Sequence, residues 1–107
     1  MNTKIKLSDF NTEEFDAKDW SYFLSHYPMF IDQCDLETFT GQEWSYMLAH
    51  QPLLSDNCNW SLLNGNDWAN LLCEQPEFAN KCKWWKLNST NWETLLTKQS
   101  QFWIYQP

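Results

Sequence analysis

The segment FTGQEWSYML, residues 39–48, carries the signals of a helix start in a fixed order. Thr40 is a residue type whose side chain caps a helix, Glu43 is its capping-box partner three residues later, and Trp44 begins an apolar stripe. The same order of residue types occurs 24 residues earlier in FDAKDWSYFL, 24 residues later in LNGNDWANLL, and once more in LNSTNWETLL. The same helix-start pattern therefore occurs four times in the chain.

The repetition extends over a whole unit of 24 residues. Four positions of the unit form columns of one residue type: Trp20, Trp44, Trp68 and Trp92; Leu24, Leu48, Leu72 and Leu96; Pro28, Pro52 and Pro76; and Cys34, Cys58 and Cys82. Residues 40–63 and 64–87 are identical at eight of 24 positions. Repeats of this length bury their apolar faces by stacking on one another.

Each unit is predicted to be a helical hairpin. The apolar residues of its first half follow helical spacing, as in Trp68, Leu71 and Leu72. The proline ends this first helix and is well placed to begin a second, shorter helix that runs to the cysteine. A hydrophobic residue before each cap is expected to pack on the tryptophan as a staple. The sequence therefore predicts an all-α fold, a small solenoid of about four stacked 24-residue helical hairpins.

A chain of 107 residues is expected to form a single helical-repeat domain over residues 1–107. The caps divide it into an N-terminal half-unit, three full repeats and a truncated repeat: residues 1–15, 16–39, 40–63, 64–87 and 88–107. The last repeat ends in QFWIYQP, which is not a polar cap. Residues 102–105 therefore either fold back over the open end or leave an apolar surface for a partner or for homo-oligomer formation.

The charge of the chain is acidic, with 14 Asp and Glu, seven Lys and no Arg, for a net charge of −7. This charge repels phosphate, and arginine is the side chain best suited to phosphate and guanine contacts. Direct nucleic-acid binding is therefore disfavoured. No stretch approaches the roughly 20 apolar residues of a membrane span, and no apolar leader follows the first lysines. We expect no membrane insertion and a cytoplasmic location.

The cysteine and histidine columns invite a disulfide or metal interpretation. Equivalent residues in stacked helices lie about 8–10 Å apart, beyond the roughly 7 Å limit for a disulfide, and no CxxC spacing occurs. The cysteines are therefore expected to be reduced and buried. His26 and His50 are followed in their column by Glu74 and Lys98, so the column does not keep one metal-binding chemistry. No metal and no other cofactor is predicted.

Catalytic constellations are not apparent in the pattern. Cys73 has no recurring or nearby base, and no glycine-rich loop is available to hold a phosphate group. Several carboxylates are already explained as helix caps. We therefore predict a protein that is not an enzyme.

Surface recognition is the remaining role, and the columns indicate which aromatic side chains are exposed. Tyr22 and Tyr46 share a column with polar residues, and so does Trp85, which lies in the basic segment KCKWWK. Exposed tryptophan and tyrosine side chains are frequent anchors of protein interfaces. The predicted protein-binding residues are Trp85, Tyr22, Tyr46, His26, His50 and Trp103.

The pattern W..L.G.DW..LL...P.F....C resembles the short Trp-rich tandem repeats that occur in long arrays in bacterial proteins of uncharacterised function. The segment WSLLNGNDWANLLCEQPEFANKC, residues 60–82, fits the pattern best, and the resemblance covers about residues 15–104. The first unit has Ala17 in place of the glycine, while the fourth has Ser89 there and lacks the cysteine. The resemblance implies a repeat fold, and it implies no activity and no catalytic residue.

Three function classes stay open from the sequence. The first is a protein-interaction module that uses the exposed aromatic and histidine side chains. The second is a small acidic inhibitor, of the kind that phages and mobile elements direct against the basic nucleic-acid channel of a host nuclease. Its acidic surface would comprise Asp32, Asp35, Glu37, Asp56, Glu74 and Glu77. The third is a structural unit that self-assembles through its C-terminal end.

Overall fold

The computed structural model describes residues 4–107. Its main elements are four α-helices of ten residues each: α1 (Ala17–His26), α2 (Gly41–His50), α3 (Gly65–Glu74) and α4 (Ser89–Lys98). Each α-helix packs against the next one along the chain, and residues 4–107 contain no β-strand. The predicted all-α repeat architecture is therefore confirmed.

The second helix of each hairpin is a 3₁₀ helix of six residues. These 3₁₀ helices span Pro28–Gln33, Pro52–Asn57, Pro76–Lys81 and Ser100–Tyr105. Proline begins three of them, in the position where its missing N–H is of no consequence. Shorter 3₁₀ turns at Leu36–Thr38, Trp60–Leu62 and Trp84–Lys86 then lead to the next cap. The described part of the half-unit contains the 3₁₀ turn Leu7–Asp9.

The predicted helix caps form as hydrogen-bonded pairs. At the start of α1, the Asp19 N–H donates to Asp16 Oδ1 over 2.8 Å and the Asp16 N–H donates to Asp19 Oδ2 over 3.2 Å. The fourth repeat makes the same reciprocal pair with Asn88 and Asn91. In all four α-helices the backbone N–H of the N-cap residue donates to the side chain of the third helical residue, so each helix enters its repeat in a similar way, as stacking requires.

The tryptophan column fills the core between repeats. Trp44, Trp68 and Trp92 are buried, and Trp68 stacks on Trp60 of its connector with ring centroids 5.4 Å apart. Their indole N–H groups find no acceptor among residues 4–107, so the three rings stabilise the fold through packing. Trp20 is only half-buried. Thr12 stands where later repeats have a leucine or tryptophan in the connector, so Trp20 lacks that covering side chain.

A column of glutamines joins the repeats. The residue after each of α2, α3 and α4 donates a side-chain hydrogen bond to a backbone carbonyl near the end of the preceding α-helix. The pairs are Gln51 to Ser25 at 2.9 Å, Gln75 to Ala49 at 3.0 Å and Gln99 to Cys73 at 3.1 Å. The first repeat, with no earlier α-helix, has Tyr27 in this position. These bonds satisfy carbonyls that every helix end leaves free.

Two glycines allow close approach between repeats. A β carbon on Gly41 would lie 2.5 Å from the Asp67 carboxylate and 2.2 Å from the Leu62 carbonyl oxygen. A β carbon on Gly65 would lie 2.3 Å from the Asn91 side chain. The glycine of one repeat thus leaves room for the cap of the next. Within residues 4–107, no further repeat packs against α4 at Ser89.

The C-terminal segment combines the two alternatives that its sequence left open, since part of it folds back over the end of the solenoid and part of it leaves an apolar surface. Phe102 is buried, and Tyr105 stacks on Trp84 with centroids 4.7 Å apart and ring planes 6° apart. Trp103 and Ile104 remain 66% and 62% exposed. The end of the solenoid is therefore partly covered by its own chain and partly apolar surface.

Candidate functional site

One exposed surface runs across all four α-helices. It is formed by the second, sixth and tenth residues of each helix, which lie on one side because they are four residues apart. We call this surface the α-face. Its members are Lys18, Tyr22, His26, Gln42, Tyr46, His50, Asn66, Asn70, Glu74, Thr90, Thr94 and Lys98, and all are exposed.

Aromatic rings occupy the half of the α-face nearest the N-terminus. The rings of Tyr22 and Tyr46 face each other across adjacent helices, with centroids 6.5 Å apart and planes 19° apart. His26 packs on Tyr22 at 4.6 Å, and His50 packs on Tyr46 at 4.5 Å. We call these four residues the aromatic strip. The structure thus brings four of the six predicted protein-binding residues into one continuous surface.

Each histidine of the aromatic strip is held by a backbone carbonyl. His26 Nδ1 lies 3.0 Å from the Tyr22 carbonyl oxygen, and His50 Nδ1 lies 2.9 Å from that of Tyr46. A carbonyl oxygen only accepts, so the Nδ1 atoms carry the protons in these bonds. The Nε2 atom of each ring remains available to a partner.

A cleft of about 540 Å³ lies between α1 and α2. We call it the tyrosine cleft. Its lining comprises Lys18, Asp19, Ser21, Tyr22, Gln42, Glu43 and Tyr46. Sequence reasoning missed Asp19 and Glu43 as site residues because capping already explained them. Their spacing was the available signal, since each lies three residues before a tyrosine of the strip and therefore on the same side of its helix.

Amide and hydroxyl groups occupy the other half of the α-face. A second cleft, of about 490 Å³, is lined by polar residues of α2, α3 and α4 that include Gln42, Asn66, Asn70, Thr90 and Thr94. Gln42 lines both clefts and so connects them. The α-face therefore changes along the solenoid from an aromatic half to a half in which amide and hydroxyl groups accompany Glu74 and Lys98.

The two predicted tryptophans lie on other elements. Trp85 is 78% exposed on the last connector, with Lys83 Nζ 5.7 Å above its ring, and Trp103 is on the terminal 3₁₀ helix. Lys86 does not add to a basic patch beside Trp85, because its ammonium donates to the carbonyls of the preceding connector at 2.9 and 3.2 Å. Neither tryptophan belongs to the α-face.

The six predicted acidic residues are all exposed, and they do not lie on one element. Glu74 is on the α-face, where it lies 3.9 Å from Lys98. The other five lie on 3₁₀ segments or beside them: Asp32, Asp35, Glu37, Asp56 and Glu77. Within this group, Asp35 is engaged as a cap for Glu37. The acidic surface is therefore spread over several elements.

The four cysteines are free and half-buried, so the prediction of full burial was only partly correct. Burial raises the pKa of both Cys58 and Cys82 to about 12. Desolvation also raises the pKa of Cys34 and of Cys73. Nucleophilic or metal-binding cysteine requires the thiolate, and these environments disfavour it. Within residues 4–107, no three His, Cys, Asp or Glu side chains meet at a metal-binding distance.

Comparison of the chain with protein-family models, with curated proteins and with solved structures returned no match. The resemblance to Trp-rich tandem repeats accordingly stays a prediction. Among the described helices, none combines the length and the apolar character that crossing a bilayer demands.

Proposed function

We propose that this chain is a non-catalytic protein-interaction module of the cytoplasm that binds its partner on the α-face. The observation that carries the proposal is the aromatic strip, in which two tyrosines and two histidines are exposed side by side on adjacent helices. Aromatic rings buried by a partner supply a large part of the binding energy of protein interfaces. Polar groups along the rest of the face then add specificity.

The size of the α-face suits this role. Four helices of ten residues, rising about 1.5 Å per residue and spaced by about 10 Å, present a surface of roughly 15 by 40 Å. A standard protein interface covers about 800 Å² on each partner. The face is therefore close to the area that one specific contact needs.

A pull-down experiment tests the proposal. The chain is immobilised, exposed to lysate from its source organism, and the bound proteins are quantified by mass spectrometry. The double variant Tyr22→Leu, Tyr46→Leu is expected to lose the captured partner, while the matched variant Trp85→Ala, which removes an exposed aromatic side chain elsewhere, keeps it. Capture that survives the double variant and disappears with Trp85→Ala contradicts the α-face assignment.

The acidic inhibitor is a second candidate function, favoured by the net charge of −7 and by the exposure of all six acidic residues. Binding driven by such charges weakens steeply with salt, because the Debye length falls from about 10 Å at 0.1 M to about 3 Å at 1 M. Partner binding that fades with salt and ignores the tyrosine substitutions supports the inhibitor. Binding that persists in high salt and needs the tyrosines supports the α-face.

A further inference from the structure

We propose that the tyrosine cleft binds an arginine side chain of the protein partner, with the guanidinium against Tyr22 and Tyr46 and paired with Asp19 and Glu43. This inference rests on the proposed function, because it assigns the chemistry of the partner at one part of the α-face. Aromatic surface, free carboxylate oxygens and charge each favour this occupant.

The aromatic part of the cleft fits a planar cation. Tyr22 and Tyr46 are 52% and 39% exposed, so their rings are open to a ligand. Because both rings border the cleft and their centroids are 6.5 Å apart, one cation in the cleft can lie within the roughly 6 Å range of a cation–π interaction from each ring.

The acidic part of the cleft has unused hydrogen-bonding capacity. Asp19 Oδ2 accepts from the Asp16 N–H, and Glu43 Oε1 accepts from the Thr40 N–H at 2.9 Å and from the Thr40 hydroxyl at 3.0 Å. The second oxygen of each carboxylate accepts no hydrogen bond from residues 4–107. Each carboxylate is thus oriented by its cap and keeps one oxygen for a donor from the partner.

The charges of the cleft select a cation and its chemistry selects arginine. Lys18, Asp19 and Glu43 give the lining a net charge of −1, which disfavours an acidic side chain. Guanidinium is planar, stacks on aromatic rings and presents several N–H donors at once, whereas lysine offers a compact and strongly hydrated ammonium. The sequence contains no arginine, so a second copy of this chain cannot supply the group.

Nuclear magnetic resonance with short peptides tests the arginine site directly. The ¹⁵N-labelled protein is titrated with the peptide acetyl-Gly-Arg-Gly-Arg-Gly-amide, and in parallel with versions in which lysine or citrulline replaces both arginines. We expect saturable shifts of the amide signals of residues 18–22 and 42–46 with the arginine peptide, and binding about fivefold weaker with lysine. Citrulline keeps the planar shape without the charge and is expected to bind more weakly than arginine.

Variants separate the cleft from the general acidity of the chain. Glu43→Gln removes a charge and keeps an oxygen that caps the helix, so it is expected to weaken arginine-peptide binding several-fold without unfolding the protein. Tyr46→Leu is expected to do the same. The matched control Asp32→Asn removes one exposed charge outside the cleft and is expected to have little effect.

Three results would overturn the inference. The first is equal binding of the arginine and lysine peptides. The second is a set of amide shifts that spreads over all acidic residues and that Asp32→Asn reduces as much as Glu43→Gln does. The third is the absence of any saturable shift. Failure here is distinguishable from failure of the proposed function. Partner capture that needs the tyrosines but tolerates Glu43→Gln keeps the α-face as the binding surface and removes only the arginine.

Discussion

At the scale of single residues, Gly65 lies at a close contact between the third and fourth repeats. Because its β carbon would meet the Lys86 carbonyl oxygen and the Asn91 side chain, both at 2.3 Å, Gly65→Ala is expected to lower the free energy of unfolding by about 1–3 kcal/mol through overpacking. Chemical denaturation monitored by tryptophan fluorescence measures the change. Ser89→Ala is the control, since within residues 4–107 no further repeat packs against this position of α4. Equal destabilisation by both changes would contradict the contact.

Asp67 is a second residue with a measurable consequence, because it is a buried carboxylate within a helix cap. Desolvation raises its pKa above the ordinary 3.8, and the nearby Glu43 raises it further, while the bond from the Asn64 N–H and the charge of Lys86 lower it. The folded state therefore holds the proton more tightly than the unfolded chain. Stability from this group is greatest below the ordinary pKa and is lost as pH rises through the raised pKa.

The change Asp67→Asn should therefore stabilise the protein near neutral pH. The amide keeps the cap, as Asn91 does in the next repeat, and it removes the buried charge. We expect a higher thermal unfolding midpoint than the wild type at neutral pH, with the advantage shrinking as pH falls through the raised pKa. An advantage that stays constant with pH would show that charge burial is not its cause.

At the scale of elements, the glutamine column holds neighbouring hairpins together. Gln75→Met keeps the side-chain length but removes the donor to the Ala49 carbonyl, so we expect a loss of about 1 kcal/mol, or about 4–8 °C in the unfolding midpoint. Differential scanning calorimetry measures it. Gln33→Met serves as the control because this exposed glutamine makes no inter-repeat bond; a similar loss in both variants would remove the role of the column.

Much of the element pattern could be predicted from the sequence because local signals coincide. The N-cap of α3 at Asn64 and the proline that begins the next 3₁₀ helix at Pro76 each follow from one residue type at one position. The glutamine bonds could not be predicted, because a side-chain bond to a backbone 26 residues away has no local signal. The choice between a 3₁₀ helix and an α-helix could not be predicted from the sequence either, because both conformations accept the same residues over six positions.

The candidate site could be predicted only in part. Exposure of Tyr22 and Tyr46 followed from their polar column mates, and the structure confirms it. Their pairing across helices and the carboxylates beside them depend on how far one repeat is rotated from the next, which the sequence does not state. Trp85 was correctly predicted to be exposed, but its separation from the strip needed the coordinates.

At the scale of the whole molecule, the two ends do not match as stacking surfaces. A glutamine of a further repeat would donate to the carbonyl of Thr97 in α4. The first repeat instead has Tyr27 at the glutamine position, and the Tyr27 ring packs on Phe10. Head-to-tail assembly by the internal geometry is therefore disfavoured.

We accordingly expect a monomer of 12.9 kDa in light scattering coupled to size-exclusion chromatography. Trp103→Ser with Ile104→Ser tests the exposed apolar end without removing Phe102 or Tyr105, which pack on Trp84. An unchanged mass agrees with the account. A larger species that this double variant converts to the monomer would favour the self-assembling unit.

Site-specific photo-crosslinking tests most directly the central claim that the α-face is the binding surface. A photoreactive phenylalanine is placed in turn at the positions of Tyr46, Leu53, Trp85 and Trp103, all of which are exposed, and each protein is irradiated in lysate of the source organism. The account predicts one discrete adduct from position 46 and none from the other three. An adduct from position 53, 85 or 103, with none from position 46, would contradict it.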